Sequence, residues 1–381
     1  MSGYLLVSAL HKQAFASATK HQLIAFLQVA AFTNRTAVLP FARFGEPAFV
    51  GFPTSGYDTL DKYFDVPKLL ERWPCLRAIS YETYQQERRG KRIVDVALQL
   101  GLPRGGATPD SFGVASPNCG KRTRPLVSAG ATHACLDLVA AISATALNRI
   151  AGAVMITNWS QKLVGLGDAL SPLFGDAFAQ RGGCHDPKVA PPRDFPPLAQ
   201  RWLAIANAFL KNTTFVCAHL RAEKLASAAS GREKRDQWRQ ADDGSWNSPY
   251  MERCLRGVAA IATHELRPAE PVLLITDTDA DHGTPSNQGS AHFRDWRPRG
   301  ERLARAYLPS AMAYCSRFAK GDPDCAMVEA AACRRARRVL RFGSGTFSEF
   351  IVGDPPNAPP STQYLDCAHI NADAARIPPK I

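Results

Sequence analysis

Three short runs in this chain are apolar or β-branched at nearly every position: Tyr4–Ala9 (YLLVSA), Thr213–His219 (TTFVCAH) and Pro271–Thr276 (PVLLIT). A strand that alternates can leave one face in water. An unbroken apolar strand must be covered on both faces, which is the condition of a parallel sheet flanked by helices. The intervening sequence agrees. Ala16–Thr33 carries Leu23, Phe26, Leu27, Ala30 and Ala31 at helical spacing, and Thr36–Phe41 (TAVLPF) then reads as a strand cut short at Pro40. Strand, helix, strand at this length is a βαβ unit, so the fold class is α/β.

The same alternation runs on. Ala151–Trp159 is a further candidate strand, and Arg181–Pro197 (RGGCHDPKVAPPRDFPP) concentrates Gly and Pro where no regular element persists. A chain of 381 residues exceeds what one core usually organises. We therefore expect two domains, 1–197 and 198–381. The second reads as helix Leu198–Leu210, strand Thr213–His219, amphipathic helix Pro249–Leu266, strand Pro271–Thr276, helix Cys325–Ala336, strand Val339–Phe342 and a new helix over Thr346–Val352. Gly51–Glu71 is expected to be irregular, and Asp279–Gly300, polar and rich in Gly and Pro, a surface loop. Two wound sheets place their ligand sites at the carboxyl ends of the strands, here expected in a cleft between the domains.

The net charge of +12 (46 Lys+Arg, 34 Asp+Glu) favours anionic partners. Its one concentrated run, Arg334–Arg341 (RRARRVLR), reads as a basic helix face leading into a strand; a solvated face is the plainer alternative. No aromatic interleaving or nucleic-acid module accompanies it, which argues against nucleic acid as a partner. No stretch approaches the length of a membrane span. The opening MSGYLLVSAL lacks the basic start and cleavage site of a signal peptide. Ten scattered cysteines without a CxxC pair fit several disulfides in an oxidising compartment, with connectivity unreadable from sequence. Three N-x-S/T sequons, at Asn34, Asn158 and Asn212, would matter in that same compartment. The endoplasmic reticulum or Golgi lumen is the expected location, reached by a targeting segment absent from this chain.

Two places carry chemistry. His219-Leu220-Arg221 ends a buried strand, so Arg221 presents a fixed cationic fork suited to a diphosphate. A structural ion pair is the plainer reading of Arg221, and Glu223 stands two residues on. Arg341–Ile351 (RFGSGTFSEFI) ends another strand in a turn permitted by Gly343 and Gly345, with Thr346 or Ser348 as helix cap. Amides and hydroxyls there suit phosphate. Glu329, on the helix before that strand, could accept the two donors on the Watson–Crick edge of guanine, or be a surface side chain. Asp277-Thr278-Asp279 looks like a metal motif, but an EF-hand needs Gly and Glu where His282 and Gln288 stand. We expect no metal.

These blocks in this order resemble the GDP-fucose protein O-fucosyltransferases: a first strand and helix, then Asn34–Pro40 (NRTAVLP); a second-domain strand ending in His219–Arg221 (HLR); and Glu329, Cys333, Val339–Phe342 and Gly345-Thr346-Phe347-Ser348. The resemblance implies a GT-B fold of two Rossmann-like wound-sheet domains facing across a cleft, the first on the acceptor side and the second holding the nucleotide sugar. It implies an inverting, metal-independent transfer of fucose from GDP-fucose to a protein Ser or Thr hydroxyl; known members act on small disulfide-rich modules, and plant-type relatives act on other substrates. By position, Arg221 would grip the β-phosphate and assist its departure, His219 and Leu220 would contact the nucleotide through their backbone, and Thr346 and Phe347 would hold phosphate and base. Glu329 would replace a donor-binding aspartate. The sequence departs from the family after its first strand. A Gly-rich, Asn-containing donor loop is replaced by Ala14–Lys20 (AFASATK), leaving Ser17 and Lys20 as the donor-side candidates there and no obvious base. Glu223 is the candidate base or donor contact. The alternatives are a GT-B protein that binds a nucleotide or glycan without catalysis, and a basic-faced protein for anionic partners.

Overall fold

The computed structural model describes residues 3–10, 15–44, 47–101, 132–137, 152–156, 195–229, 237–242, 244–276, 291–315, 324–353 and 358–378. The chain divides into two compact units, Met1–Ala199 and Gln200–Ile381. Among the described residues no helix is long and apolar enough to cross a membrane. Asn158 and the Asp277-Thr278-Asp279 triplet lie outside the described residues.

The first unit is built on six strands: β1 (Tyr4–Val7), β2 (Thr36–Val38), β3 (Arg77–Ile79), β4 (Val96–Gly101), β5 (Thr132–Asp137) and β6 (Ala153–Ile156). They form one wholly parallel sheet in the order β3-β2-β1-β6-β4-β5. Leu5, Leu6 and Val7 are buried, as are all four residues of β6, as unbroken apolar runs require. Helix α1 (Ile24–Phe32) follows a short α-turn at Phe15–Ser17 and a π-helical stretch, Ala18–Leu23. Gly51–Glu71 is more ordered than its composition suggests. It holds a short strand at Asp58–Thr59, a 3-10 turn, and the start of helix α2 (Val66–Arg72). Asp65 caps α2 by accepting the Lys68 N–H at 3.2 Å. Helix α3 (Tyr81–Glu87) is capped by Ser80 in the same way.

The second unit carries β7 (Val216–Leu220), β8 (Val272–Thr276), β9 (Ala311–Met312), β10 (Arg338–Phe342) and β11 (Ser361–Tyr364). All pair in parallel, in the order β9-β8-β7-β10-β11. Numbered from the unit's own first strand this is 3-2-1-4-5, the doubly wound order whose winding reverses between the first and fourth strands. Every residue of β7 and β8 is buried. Fully burying an aliphatic side chain contributes about 1.5–3 kcal/mol each, which holds such strands at the sheet's centre.

Side chains alternate across a strand, so Val216, Ala218 and Leu220 face one way and Cys217 and His219 the other. The first face joins a cluster with Met251, Leu255 and Val258 of α6 (Pro249–Glu265) and Phe293 and Trp296 of α7 (Ala291–Tyr307). Of the span Asp279–Gly300, read as surface loop, residues 279–290 lie outside the described residues, and helix α7 corrects the reading over Ala291–Gly300. Although its composition is polar and Pro298 lies inside it, Phe293, Trp296, Gly300 and Ala304 fall on one helical face and are buried. Remaining helices are α4 (Gln200–Leu210), α5 (Ala222–Ser227), α8 (Cys325–Cys333), α9 (Thr346–Phe350) and α10 (Cys367–Ala374).

Three disulfides tie this unit: Cys217–Cys333, Cys254–Cys367 and Cys315–Cys325, with Cα separations of 5.2–5.3 Å. The first fastens β7 to the end of α8, and the second fastens α6 to α10.

The arginine run is not a helix face, because α8 ends at Cys333 and Arg334 is already its C-cap. Arg334 donates to the Phe350 carbonyl at 2.7 Å. Arg337 grips Glu270 through Nε and Nη2 at 3.0 and 2.8 Å. Arg338 lies 3.3 Å from Glu265 and donates to Thr362 Oγ1. These charges hold the unit together, which weakens the reading of a basic face for anionic partners.

Candidate functional site

The winding reversal places the carboxyl ends of β7 and β10 side by side, and ligands of doubly wound sheets bind outside that point. The two segments singled out in the sequence emerge there. The backbone N–H of Arg221 donates to the Phe342 carbonyl at 2.7 Å, extending the ladder one residue beyond Leu220. Beyond Phe342 the chain turns through Gly343 (φ +94°) and Gly345 (φ +139°, ψ 156°). Both angles demand glycine. At Gly343 there is a second reason: a Cβ there would stand 2.8 Å from the Arg221 carbonyl oxygen. At Gly345 a Cβ would lie 3.8 Å from Arg221 Nη1 and 3.9 Å from its Cζ. The guanidinium therefore lies over the 343–345 turn. Arginine and turn form one local surface within a single unit.

Glu223, in the first turn of α5, sets the arginine's other side. Its Oε2 is 3.9 Å from Arg221 Nη2, with side-chain exposures of 6% for Glu223 and 21% for Arg221. A buried carboxylate thus stands at ion-pair distance from an arginine whose side chain is still partly open to solvent.

Helix α9 begins with Gly345 as N-cap and without a side-chain cap, so the expectation that Thr346 or Ser348 caps it is not met. Ser348 is fully buried, and its Oγ is 3.0 Å from His219 Nδ1. The rings of His219 and Phe347 stand 5.5 Å apart between centroids. The strand tip and the turn are therefore joined by a hydrogen bond and a ring contact as well as by Arg221. With five residues, α9 has little macrodipole, so anion binding here depends on local amides and the guanidinium. Next to His219 in register is Arg341. Burial pushes its guanidinium below its ordinary value, partly offset by Glu349.

Leu220 puts its side chain in the core and only its backbone at the strand end. Glu329 is not a surface residue: it is 1% exposed, and its Oε1 accepts the Cys315 N–H at 3.2 Å. With Thr276, Ala311 and Ala313 it lines a small hollow at the β9 side of the sheet. Ser17 and Lys20 belong to the first unit, half-buried on the helical segment that follows its first strand. That segment is not a loop. Phe15 anchors it among Phe44, Phe49, Tyr63 and Phe64, with ring centroids 5.1–5.8 Å apart. The His219–Ser348 bond and the Cys217–Cys333 bridge two residues before His219 were not legible in the sequence. A histidine, a serine and ten cysteines give no pairing by themselves.

No family model and no curated protein sequence matches this chain. Among solved structures, POFUT1 in complex with GDP is similar at a TM-score of 0.52 and 14% identity, over 95% of this chain and 98% of that one. POFUT1 in complex with GDP-fucose is similar at 0.51 and 14% identity, with the same coverage. The fucosyltransferase NodZ from Bradyrhizobium is found at 0.37 and 13% identity, over 92% of this chain and 93% of that one, a likeness too loose to build on. At such identities likeness speaks for the fold. The chain has the mixed α/β architecture of two parallel, Rossmann-like units, as in fucosyltransferases of the GT-B class.

Proposed function

We propose that this chain is an inverting glycosyltransferase that moves fucose from GDP-fucose to a Ser or Thr hydroxyl of a protein acceptor. One observation carries the reading: Arg221 Nη1 lies over the glycine turn of β10, within 3.8 Å of the position a Cβ would take on Gly345. A fork of fixed charge beside a glycine turn suits one small anion, as a departing diphosphate requires. The fold neighbours bound to GDP and GDP-fucose support the choice of ligand.

In this reading Arg221 neutralises the charge that grows on the leaving GDP, the task a metal performs in other transferases, and the reaction needs no metal. Glu223 holds Arg221 in place, a role its burial supports better than that of a base reaching for an acceptor. Thr346 and Phe347 line the phosphate and base side, and His219 holds the turn through Ser348. A small disulfide-rich domain is the acceptor class that the family resemblance implies. We place the chain in the lumen of the endoplasmic reticulum or Golgi, which the three disulfides support.

A second reading has its own observation. Where the family keeps a flexible glycine-rich donor loop, this chain has a helical segment pinned by Phe15. A protein that binds the nucleotide without transferring sugar would tolerate that change. Calorimetry with GDP, GDP-fucose and UDP, on the native chain and Arg221→Ala, tests both readings. Micromolar binding selective for guanine and lost in Arg221→Ala is expected. Equal affinity for UDP, or an unaffected Arg221→Ala, overturns both. Release of GDP in the presence of acceptor then separates transferase from binder.

A further inference from the structure

The structure assigns Asn212 as an N-glycosylation site, an inference that rests on the lumenal location proposed above. Of the two sequons within the described residues, Asn212-Thr213-Thr214 stands in the turn between α4 and β7. Lys211, Asn212, Thr213 and Thr214 are all exposed there. Lys211 and Asn212 both take left-handed backbone angles, φ +47° and +61°, and turn the chain tightly from α4 into β7. Its own hydrogen bonds run through backbone, Lys211 N–H to the Asn207 carbonyl and Thr213 N–H to the Leu210 carbonyl. Beside it opens a hollow of about 220 Å³ walled by Thr213, Thr214, Phe215 and Arg335, a polar seat for a first sugar.

Asn34 provides the contrast. Its Oδ1 and its carbonyl both accept from Arg77 Nη2, at 2.8 and 2.7 Å. Arg35 beside it is buried, and Thr36 belongs to β2. A saccharide on that carboxamide would have to fit against the Arg77 guanidinium.

The donor would be an oligosaccharide joined through a diphosphate to a lipid, the chemical class that supplies such glycans. The Asn212 amide nitrogen forms a bond to the anomeric carbon. The bond from that carbon to the diphosphate oxygen breaks, the lipid diphosphate departs with its electron pair, and the amide proton passes to a base of the transferring enzyme. The site stands at the amino end of β7 and Arg221 at its carboxyl end. Four strand steps of about 3.3 Å, roughly 13 Å, separate those ends, so the glycan leaves the candidate nucleotide site open.

The test is to express the full chain behind a heterologous signal peptide in cells that N-glycosylate, which fixes its compartment. The peptide bearing Asn212 is then read by mass spectrometry after enzymatic deglycosylation in oxygen-18 water. The native chain is expected to show labelled aspartate at position 212 and to run one glycan step slower on a gel than Asn212→Gln. Asn212→Gln and Thr214→Ala are expected to lose that step, Thr214→Ser to keep it, and Asn212→Gln to bind GDP as the native chain does. Secreted, disulfide-bonded native chain with an unmodified Asn212 overturns the assignment, and does so whether or not the chain binds GDP.

Discussion

Adding one methyl group at position 345 tests whether the arginine and the turn are one site. Gly345 sits at φ +139° and ψ 156°, a region that is essentially glycine's alone. Holding an alanine there costs on the order of 1–3 kcal/mol. The methyl would not collide with Arg221, since 3.8 Å to Nη1 is ordinary contact. The penalty is therefore conformational, and the backbone relieves it by rotating the turn and carrying the first amides of α9 with it. At about 2 kcal/mol, and about 2–4 °C per kcal/mol for a unit of this size, Gly345→Ala should lower the Tm by roughly 4–8 °C. A turn displaced from beneath the guanidinium should also weaken GDP binding at least tenfold, about 1.4 kcal/mol. Gly343→Ala should do more damage, because its Cβ would meet a backbone oxygen at 2.8 Å as well as a forbidden φ. Thermal unfolding and calorimetry with GDP read both effects. A Gly345→Ala protein with a lowered Tm but native affinity would show that the turn is not part of the site. One with an unchanged Tm would show that the turn's conformation is not as described.

Ser348→Ala deprives the buried His219 ring of its partner at Nδ1, and should cost about 1–3 kcal/mol in urea denaturation, with weaker GDP binding as the turn loosens. Replacing both Cys254 and Cys367 by serine opens a loop spanning 113 residues; chain entropy sets an upper bound of about 4–5 kcal/mol. Reductant should destabilise the native chain through this bridge. Stability should also fall in mild acid. The Arg337 hydrogen bonds hold the Glu270 carboxyl below its ordinary value, so this pair stabilises the fold above the unfolded pKa of about 4.3. That contribution is lost as pH falls through the lower, folded value. In Arg337→Gln the loss over that window should be shallower, as followed by denaturation at pH 3 to 6. An unaltered slope would remove Glu270 from the acid response.

The layered architecture was legible in the sequence because its cause is local. Strands such as Val272–Thr276 are buried on both faces, so every position but Thr276 is apolar, and Pro249–Glu265 shows its buried stripe in its own periodicity. Where the cause was not local, the reading failed. Ala291–Gly300 looked like loop because its composition is polar, and four buried positions, Phe293, Trp296, Gly300 and Ala304, were enough to hold the helix Ala291–Tyr307. RRARRVLR looked like one basic surface because the groups that engage it, Glu265, Glu270, Phe350 and Thr362, lie elsewhere in the chain.

The candidate site shows the same division. Arg221 at a strand tip, and glycines where a turn needs positive φ, are properties of short segments, and they could be named from residue types alone. That the two segments are neighbours depends on strand order, which places the first strand of the second unit beside its fourth. Contacts such as that between His219 and Ser348 join residues 129 positions apart. Only tertiary packing decides such pairings, because the free energy that selects them comes from burying a whole sheet and not from either segment's own preference.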